Sequence, residues 1–199
     1  MLRGCNDGGA WPRRNLPERM TNAAPITFRP ARPEDALCLG VLSTQVFLHT
    51  YCKLGIREAL AREVLANHSV SAYQALLADP DKTILLAESA GHLVALSLVD
   101  NAARLEGSDA VGAKLEHLYV QEPFTGRGIG RDLLRHAEKA AAARGAEMLW
   151  LTAWVGNARA LAFYPRCGYD DLGEVMYTFE GESHPNRLFG KRVRHVAPA

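Results

Sequence analysis

The stretch Thr125-Gly126-Arg127-Gly128-Ile129-Gly130-Arg131-Asp132-Leu133-Leu134 sets three glycines on alternate positions and then turns helical in pattern. Each glycine costs backbone entropy, so the spacing calls for a reason. A helix N-terminus carries unsatisfied N–H groups and a partial positive charge, and it binds anions once side chains stop blocking the approach. Gly126, Gly128 and Gly130 clear that approach, and Arg127 and Arg131 add positive charge beside it. A phosphate or pyrophosphate is the ligand such a loop holds. The same residues also suit a loop chosen for turn geometry alone. The chain lacks GxxxxGK[ST], which a P-loop needs, and its GxGxG spacing departs from the GxGxxG dinucleotide fingerprint.

The neighbouring residues supply the strand and helix that such a loop joins. KLEHLYV, from Lys114, is strand-like, and from Ile129 the residues Leu133, Leu134, Ala137 and Ala141 keep one helical face apolar. EMLWLTAW then reads as a strand and NARALAFY as a short helix, with Asn157 as its N-cap. Upstream, ITFR alternates as a strand from Ile26, and Pro33, Glu34 and Asp35 suit a helix's first turn. Leu37, Val41, Leu42 and Val46 follow at helical spacing, with Cys38 a small core residue on that stripe. REALAREVLANH is a further helix, as is AYQALLADP behind a cap at Ser69 or Ser71. TILLAES and LVALSLVD make a hairpin, and YDDLGEVMYTFEG and RLFGKRVRHV are closing strands. The order β-ααα-ββ-β-α-β-α-ββ predicts an α/β (α+β) fold, with a mixed, mostly antiparallel sheet of about six or seven strands and helices on both faces.

Composition narrows the partners. Lys plus Arg (23) nearly balances Asp plus Glu (22), so no global field points to nucleic acid or membrane, and any bound anion is held locally. Cys5, Cys38, Cys52 and Cys167 show no CxxC, and the seven histidines show no HExxH, so neither a disulfide framework nor a metal site is indicated. No apolar run reaches membrane-spanning length. A reduced, cytoplasmic compartment is expected. Residues 1–24 read as a flexible extension, and 25–199 as a single domain. Met20 is an alternative start, which native peptides upstream of it would reject.

HLYVQEPFTGRGIGRDLL, then LWLTAW, then GNARALAFYPRCGY closely resembles the GNAT superfamily of acyl-CoA-dependent N-acyltransferases. The likeness runs from about Ile26 to Val196, and the two later motifs, correctly ordered and spaced, carry it. GEVMYTFEGESHPNRLFGKRV and FLHTY look most like the branch of polyamine or diamine acetyltransferases. The resemblance implies that Thr125 to Gly130 form the pyrophosphate loop, with backbone amides of Arg127, Gly128, Ile129, Gly130 and Arg131 around the coenzyme A diphosphate. Thr125 stands where the family usually has Gln or Arg. It also implies a splayed central strand pair, with pantetheine bonded to the main chain of Leu118, Tyr119 and Val120 on one side and of Thr152 and Ala153 on the other. Asn157 reaches pantetheine as well as capping its helix.

The implied reaction is direct attack of an amine on the acetyl thioester of acetyl-CoA, with no metal. Tyr164 matches the family's tyrosine near the thiol and is the acid for the departing thiolate; core packing beside Phe163 is its other reading. Pro165 follows it, and because proline disfavours helical geometry at the preceding residue, the helix is expected to end at Tyr164. Glu116 is the candidate base and an ion pair its alternative; alternation along the strand lets at most one of Glu116 and His117 face the acceptor. His49 and Tyr51 are candidates for the acceptor pocket. Trp154 reads as core. Glu106, Asp109, Asp170 and Asp171 are weaker candidates for attracting a cationic amine. The expected partners are acetyl-CoA and an amine acceptor, with a homodimer through the closing strands; a non-catalytic module that senses acyl-CoA is the competing function.

Overall fold

A computed structural model describes residues 24–105 and 112–193. The proposed extension, with Met20 and Cys5, lies outside them, as do Glu106, Asp109 and Val196. Among the described residues, seven strands form one sheet: β1 (Ile26–Pro30), β2 (Lys82–Ser89), β3 (His92–Asp100), β4 (Gly112–Val120), β5 (Met148–Trp154), β6 (Asp170–Phe179) and β7 (Glu182–Arg192). Their order across the sheet is β1-β2-β3-β4-β5-β7-β6, antiparallel throughout except for β4 beside β5.

Three helices, α1 (Ala36–Tyr51), α2 (Glu58–Asn67) and α3 (Val70–Ala78), connect β1 to β2, with α1 and α3 packed on one face. The other face carries α4 (Ile129–Ala143) and α5 (Ala158–Arg166). On α4 the apolar stripe is buried as its period predicts: Ile129, Leu133, Leu134, Ala137 and Ala141 are each at most 2% exposed. Ser69, rather than Ser71, caps α3 by accepting from the Ala72 N–H at 3.2 Å. Asn157 caps α5 by accepting from the Ala160 N–H at 3.1 Å.

Three expectations fail here. On α1 the buried residues are Ala36, Leu39, Gly40, Leu42 and Ser43, while Leu37 and Val41 are more than half exposed and Cys38 is exposed. Apolar residues are spread around this helix and Ser43 is on its buried side, so its pattern cannot choose a face; the close approach of α3 does. Gly40 lies where a Cβ would come within 3.1 Å of the His68 carbonyl oxygen, and this fixes the buried side.

Helix α5 does not stop at Tyr164 but runs through Pro165 to Arg166. Cys167 closes it, its N–H donating to the carbonyls of Phe163 (3.2 Å) and Tyr164 (2.9 Å). Tyr164 is anchored by ring contacts to Tyr169 and Phe189, both at 5.7 Å, and this packing outweighs the local preference of a residue before proline.

Strict alternation also breaks on β4. Leu98 of β3 faces His117 but Val99 faces Leu115, so Glu116 is the extra residue of a β-bulge. Glu116 approaches Lys82, which is on the α1/α3 face with Ile84 and Leu86; His117 approaches Tyr73 of α3 on the same face. Both side chains therefore lie on one side of the sheet.

Candidate active site

The site begins where the two parallel strands part. β4 and β5 are in register only from Gly112–Met148 to Lys114–Trp150. Beyond that, among the described residues, β4 continues to Val120 paired only with β3, and β5 continues to Trp154 paired only with β7. The inner edges of Leu118, Tyr119 and Val120 and of Thr152 and Ala153 thus face each other across a gap without a ladder. Backbone groups in such a gap call for a partner that behaves like an added strand.

The end of β4 leads through a 3-10 turn, residues 122–124, to the glycine loop and the N-terminus of α4. Gly128 takes the N-cap position with φ of +82°, and no side chain caps the helix. The first-turn amides of Ile129, Gly130 and Arg131 therefore lack both an intrahelical acceptor and a capping side chain. Gly126 has φ of +76°, so two of the three glycines are required by left-handed backbone. A Cβ at either would meet nothing within 4 Å, which leaves the approach open. Gly130 differs: a Cβ there would make ordinary contact with Val120 and Phe163, at 3.6 and 3.8 Å. Arg127 lies over the Phe124 ring at 5.1 Å, and the Thr125 hydroxyl donates to the Glu122 carbonyl at 2.9 Å. Arg159 of α5 grips Glu122 with two hydrogen bonds of 2.7 and 2.8 Å, stapling the loop's approach to the helix across the gap.

Tyr164 rises from α5 on the opposite face to α1. Burial, followed by the nearness of Tyr51 and Cys167, pushes its phenol well above the ordinary value, so it stays protonated. Tyr51 ends α1 on the other face, so the two hydroxyls sense each other through the parted strands. Tyr119 is likewise raised, first by burial and then by Tyr51, Tyr73, Glu63 and Tyr164. Sequence reading missed Glu63 and the polar chain behind Tyr119. There the His117 ring stacks on Tyr119 at 4.6 Å, its Nδ1 lies 3.3 Å from the Tyr73 hydroxyl, and Ser43 Oγ lies 2.5 Å from His68 Nδ1. Burial, then His68, Lys114 and Lys82, hold His117 at about 3, and burial holds His68 at about 4, so both rings are neutral near pH 7.

The acetyltransferase (GNAT) family model matches residues 54–169, more than half of the chain. The chain belongs to the GNAT acetyltransferase family. An uncharacterized N-acetyltransferase of Mycobacterium tuberculosis is 30% identical over 129 residues, covering 65% of this chain and 78% of that protein. The PaiA N-acetyltransferase of Thermoplasma acidophilum, solved in complex with coenzyme A, matches with a TM-score of 0.66 at 20% identity over 84% of this chain and 99% of that one. YncA of Salmonella typhimurium, solved with its cofactor acetyl-CoA, matches with a TM-score of 0.62 at 18% identity over 88% and 99%.

Within this GNAT fold, the remaining candidates separate. Glu116 lies 3.5 Å from Lys82, which also pairs with Asp100 at 2.8 Å. His49 is exposed and lies 3.6 Å from Glu122. Tyr51 turns toward Trp154, with ring centroids 6.0 Å apart. Trp154 is not core, as its position suggested, but partly exposed, its ring folded over Gly156, where a Cβ would come within 2.3 Å of it. Asp171 is taken by Arg187 at 2.7 Å, and Asp170 is exposed. No group of three metal-ligating side chains occurs among the described residues, and no described helix is long and apolar enough to cross a membrane.

Proposed function

We propose that this enzyme transfers the acetyl group of acetyl-CoA to a primary amine, on a small molecule or a protein, by direct attack. The parting of β4 and β5 beside the uncapped N-terminus of α4 carries this reading. Coenzyme A complexes of PaiA and YncA support it. The open amides of Ile129, Gly130 and Arg131 suit the diphosphate, and the facing edges of Leu118–Val120 and Thr152–Ala153 suit pantetheine. Acetyl-CoA supplies the thioester.

The chain's own residues then do three things. Main-chain N–H groups near Tyr119 and Val120 bind the developing oxyanion, the kind of preorganised donor that contributes most when water is excluded. Tyr164, held protonated by burial, donates to the departing sulfur. Glu116 takes the amine proton, directly or through water. His117 shares its face but is too acidic to keep a proton near neutral pH. Glu116→Gln is expected to lower kcat by about 10²-fold or more. An unaltered kcat would eliminate Glu116.

The acceptor enters on the α1 face. Tyr51, Tyr119, Trp154 and Tyr177 wall that end, and Glu63 is near enough to raise both Tyr119 and Tyr177. The Glu63 carboxylate at this end favours a cationic acceptor over an anionic one. Asn186, 6% exposed and paired in register with Trp154, makes no side-chain hydrogen bond among the described residues and remains free for substrate. Titration with acetyl-CoA followed by an amine panel tests the reading. Thiol release that depends on the amine is expected, and coenzyme binding without release would favour the sensing module.

A further inference from the structure

Behind the acceptor end lies a row of polar side chains to which acetyl transfer itself gives no part. Ser43 of α1 and Tyr73 of α3 are fully buried, and His68, which closes α2, is 3% exposed. His117 of β4 completes the row. Its Nδ1 lies 3.3 Å from the Tyr73 hydroxyl, and Ser43 Oγ lies 2.5 Å from His68 Nδ1. Burial pushes the Tyr73 phenol up to about 12, and a hydrogen bond from Ser43 offsets part of that shift. Four groups are thereby joined in the order His117, Tyr73, Ser43, His68. The Nε2 atom at each end has no hydrogen-bond partner among the described residues, and neither is sealed from solvent. The row is paired inside and open at both ends.

Buried polar groups cost stability unless they are paired, and apolar side chains would fill the same space without that cost. The location supplies a use. His117 stacks at 4.6 Å on Tyr119, a wall of the acceptor pocket, and the bulge sets Glu116 on the same face. An alkylamine arrives as R–NH3+ near neutral pH and leaves as the amide R–NH–CO–CH3, so two N–H bonds break. One proton ends on the coenzyme sulfur and the other in water. Glu116 takes one of the two. The ammonium sheds the other before its lone pair can attack.

We propose that His117, Tyr73, Ser43 and His68 form a proton relay that carries this first proton from the acceptor ammonium to water. It rests on the acetyl-transfer reading of the cleft. At rest His117 is protonated at Nδ1 and His68 at Nε2. As the ammonium N–H breaks, His117 gains a proton on Nε2 and passes its Nδ1 proton to Tyr73. Tyr73 passes its own proton to Ser43, Ser43 passes its own to His68 Nδ1, and His68 releases its Nε2 proton to water. The reverse passage, from water to water, restores the row once product has left the cleft. Neither ring holds a charge near neutral pH, so both conduct the proton rather than store it.

Ser43→Ala and Tyr73→Phe each break one link while keeping the core filled. The test is kcat/KM near neutral pH with ethylamine, which is charged there, and with 2,2,2-trifluoroethylamine, which is of similar size but largely uncharged. Both variants are expected to lower the ethylamine value about tenfold, less than loss of a general base because water still removes the proton slowly. The loss is expected to be much smaller with trifluoroethylamine, which arrives without the first proton. Equal losses with the two amines, the mark of a packing defect, overturn this inference alone, as does full ethylamine activity in both variants. If one variant lacks a cooperative thermal transition, the other decides. Absence of amine-dependent thiol release in the wild type overturns it together with the acetyl-transfer reading.

Discussion

Gly128→Glu is expected to abolish measurable coenzyme A binding in calorimetry while leaving a folded protein with a cooperative thermal transition. Gly128 sits at φ of +82°, a region costing a non-glycine residue about 1–2 kcal/mol. That strain alone does not empty the site. Because nothing lies within 4 Å of a Cβ at this position, the new side chain has room inside the fold and projects into the approach to α4. Its carboxylate then meets the open amides of the first turn and repels or replaces the diphosphate. Gly128→Ala separates the two effects, since it carries the strain without the charge. It is expected to weaken binding modestly. Unchanged affinity in Gly128→Glu would refute the assignment of the loop.

Tyr164→Phe is expected to lower kcat by about 10²-fold, the lower range for loss of a general acid, with coenzyme affinity essentially unaltered. The substitution keeps the ring that packs on Phe163, Tyr169 and Phe189, so the core remains filled. The direction of the phenol's shift also makes a pH prediction. Burial favours the neutral form, so the hydroxyl keeps its proton through and beyond pH 10, and no alkaline limb below that pH arises from Tyr164. Tyr164→Phe therefore lowers the plateau without moving either limb. An unaltered plateau would reduce Tyr164 to a core residue.

How much of this was legible in the sequence depended on whether the information was local. The face of α4 could be read because polar and apolar residues separate cleanly along it. The cap at Asn157 was legible, and that of α3 to one of Ser69 and Ser71, because a cap is made within three residues. The face of α1 was not, since its polar and apolar residues do not separate into two faces and the approach of α3 at Gly40 decides. The bulge at Glu116 leaves no mark on its own strand; it exists in the register against β3. Its consequence is direct, because alternation forbids Glu116 and His117 from sharing a face and the bulge puts them on one. Pro165 showed the reverse error, a local preference overruled by the packing of Tyr164.

The glycine spacing pointed to an anion site and the cleft itself came from the family resemblance, whereas its acceptor end was only partly seen. Tyr51 was named, but Glu63 on α2, Tyr177 on β6 and Asn186 on β7 lie far apart in sequence; the sheet's β5-β7-β6 order gathers the latter two, and Glu63 comes near enough to raise Tyr177.

A crystal structure of the protein with acetyl-CoA bears most directly on where the coenzyme binds. The diphosphate is expected on the amides of Ile129, Gly130 and Arg131, with pantetheine lying between Leu118–Val120 and Thr152–Ala153 and the thioester beside Tyr164. Coenzyme density anywhere else, or strands β4 and β5 hydrogen-bonded along their full length, would contradict it.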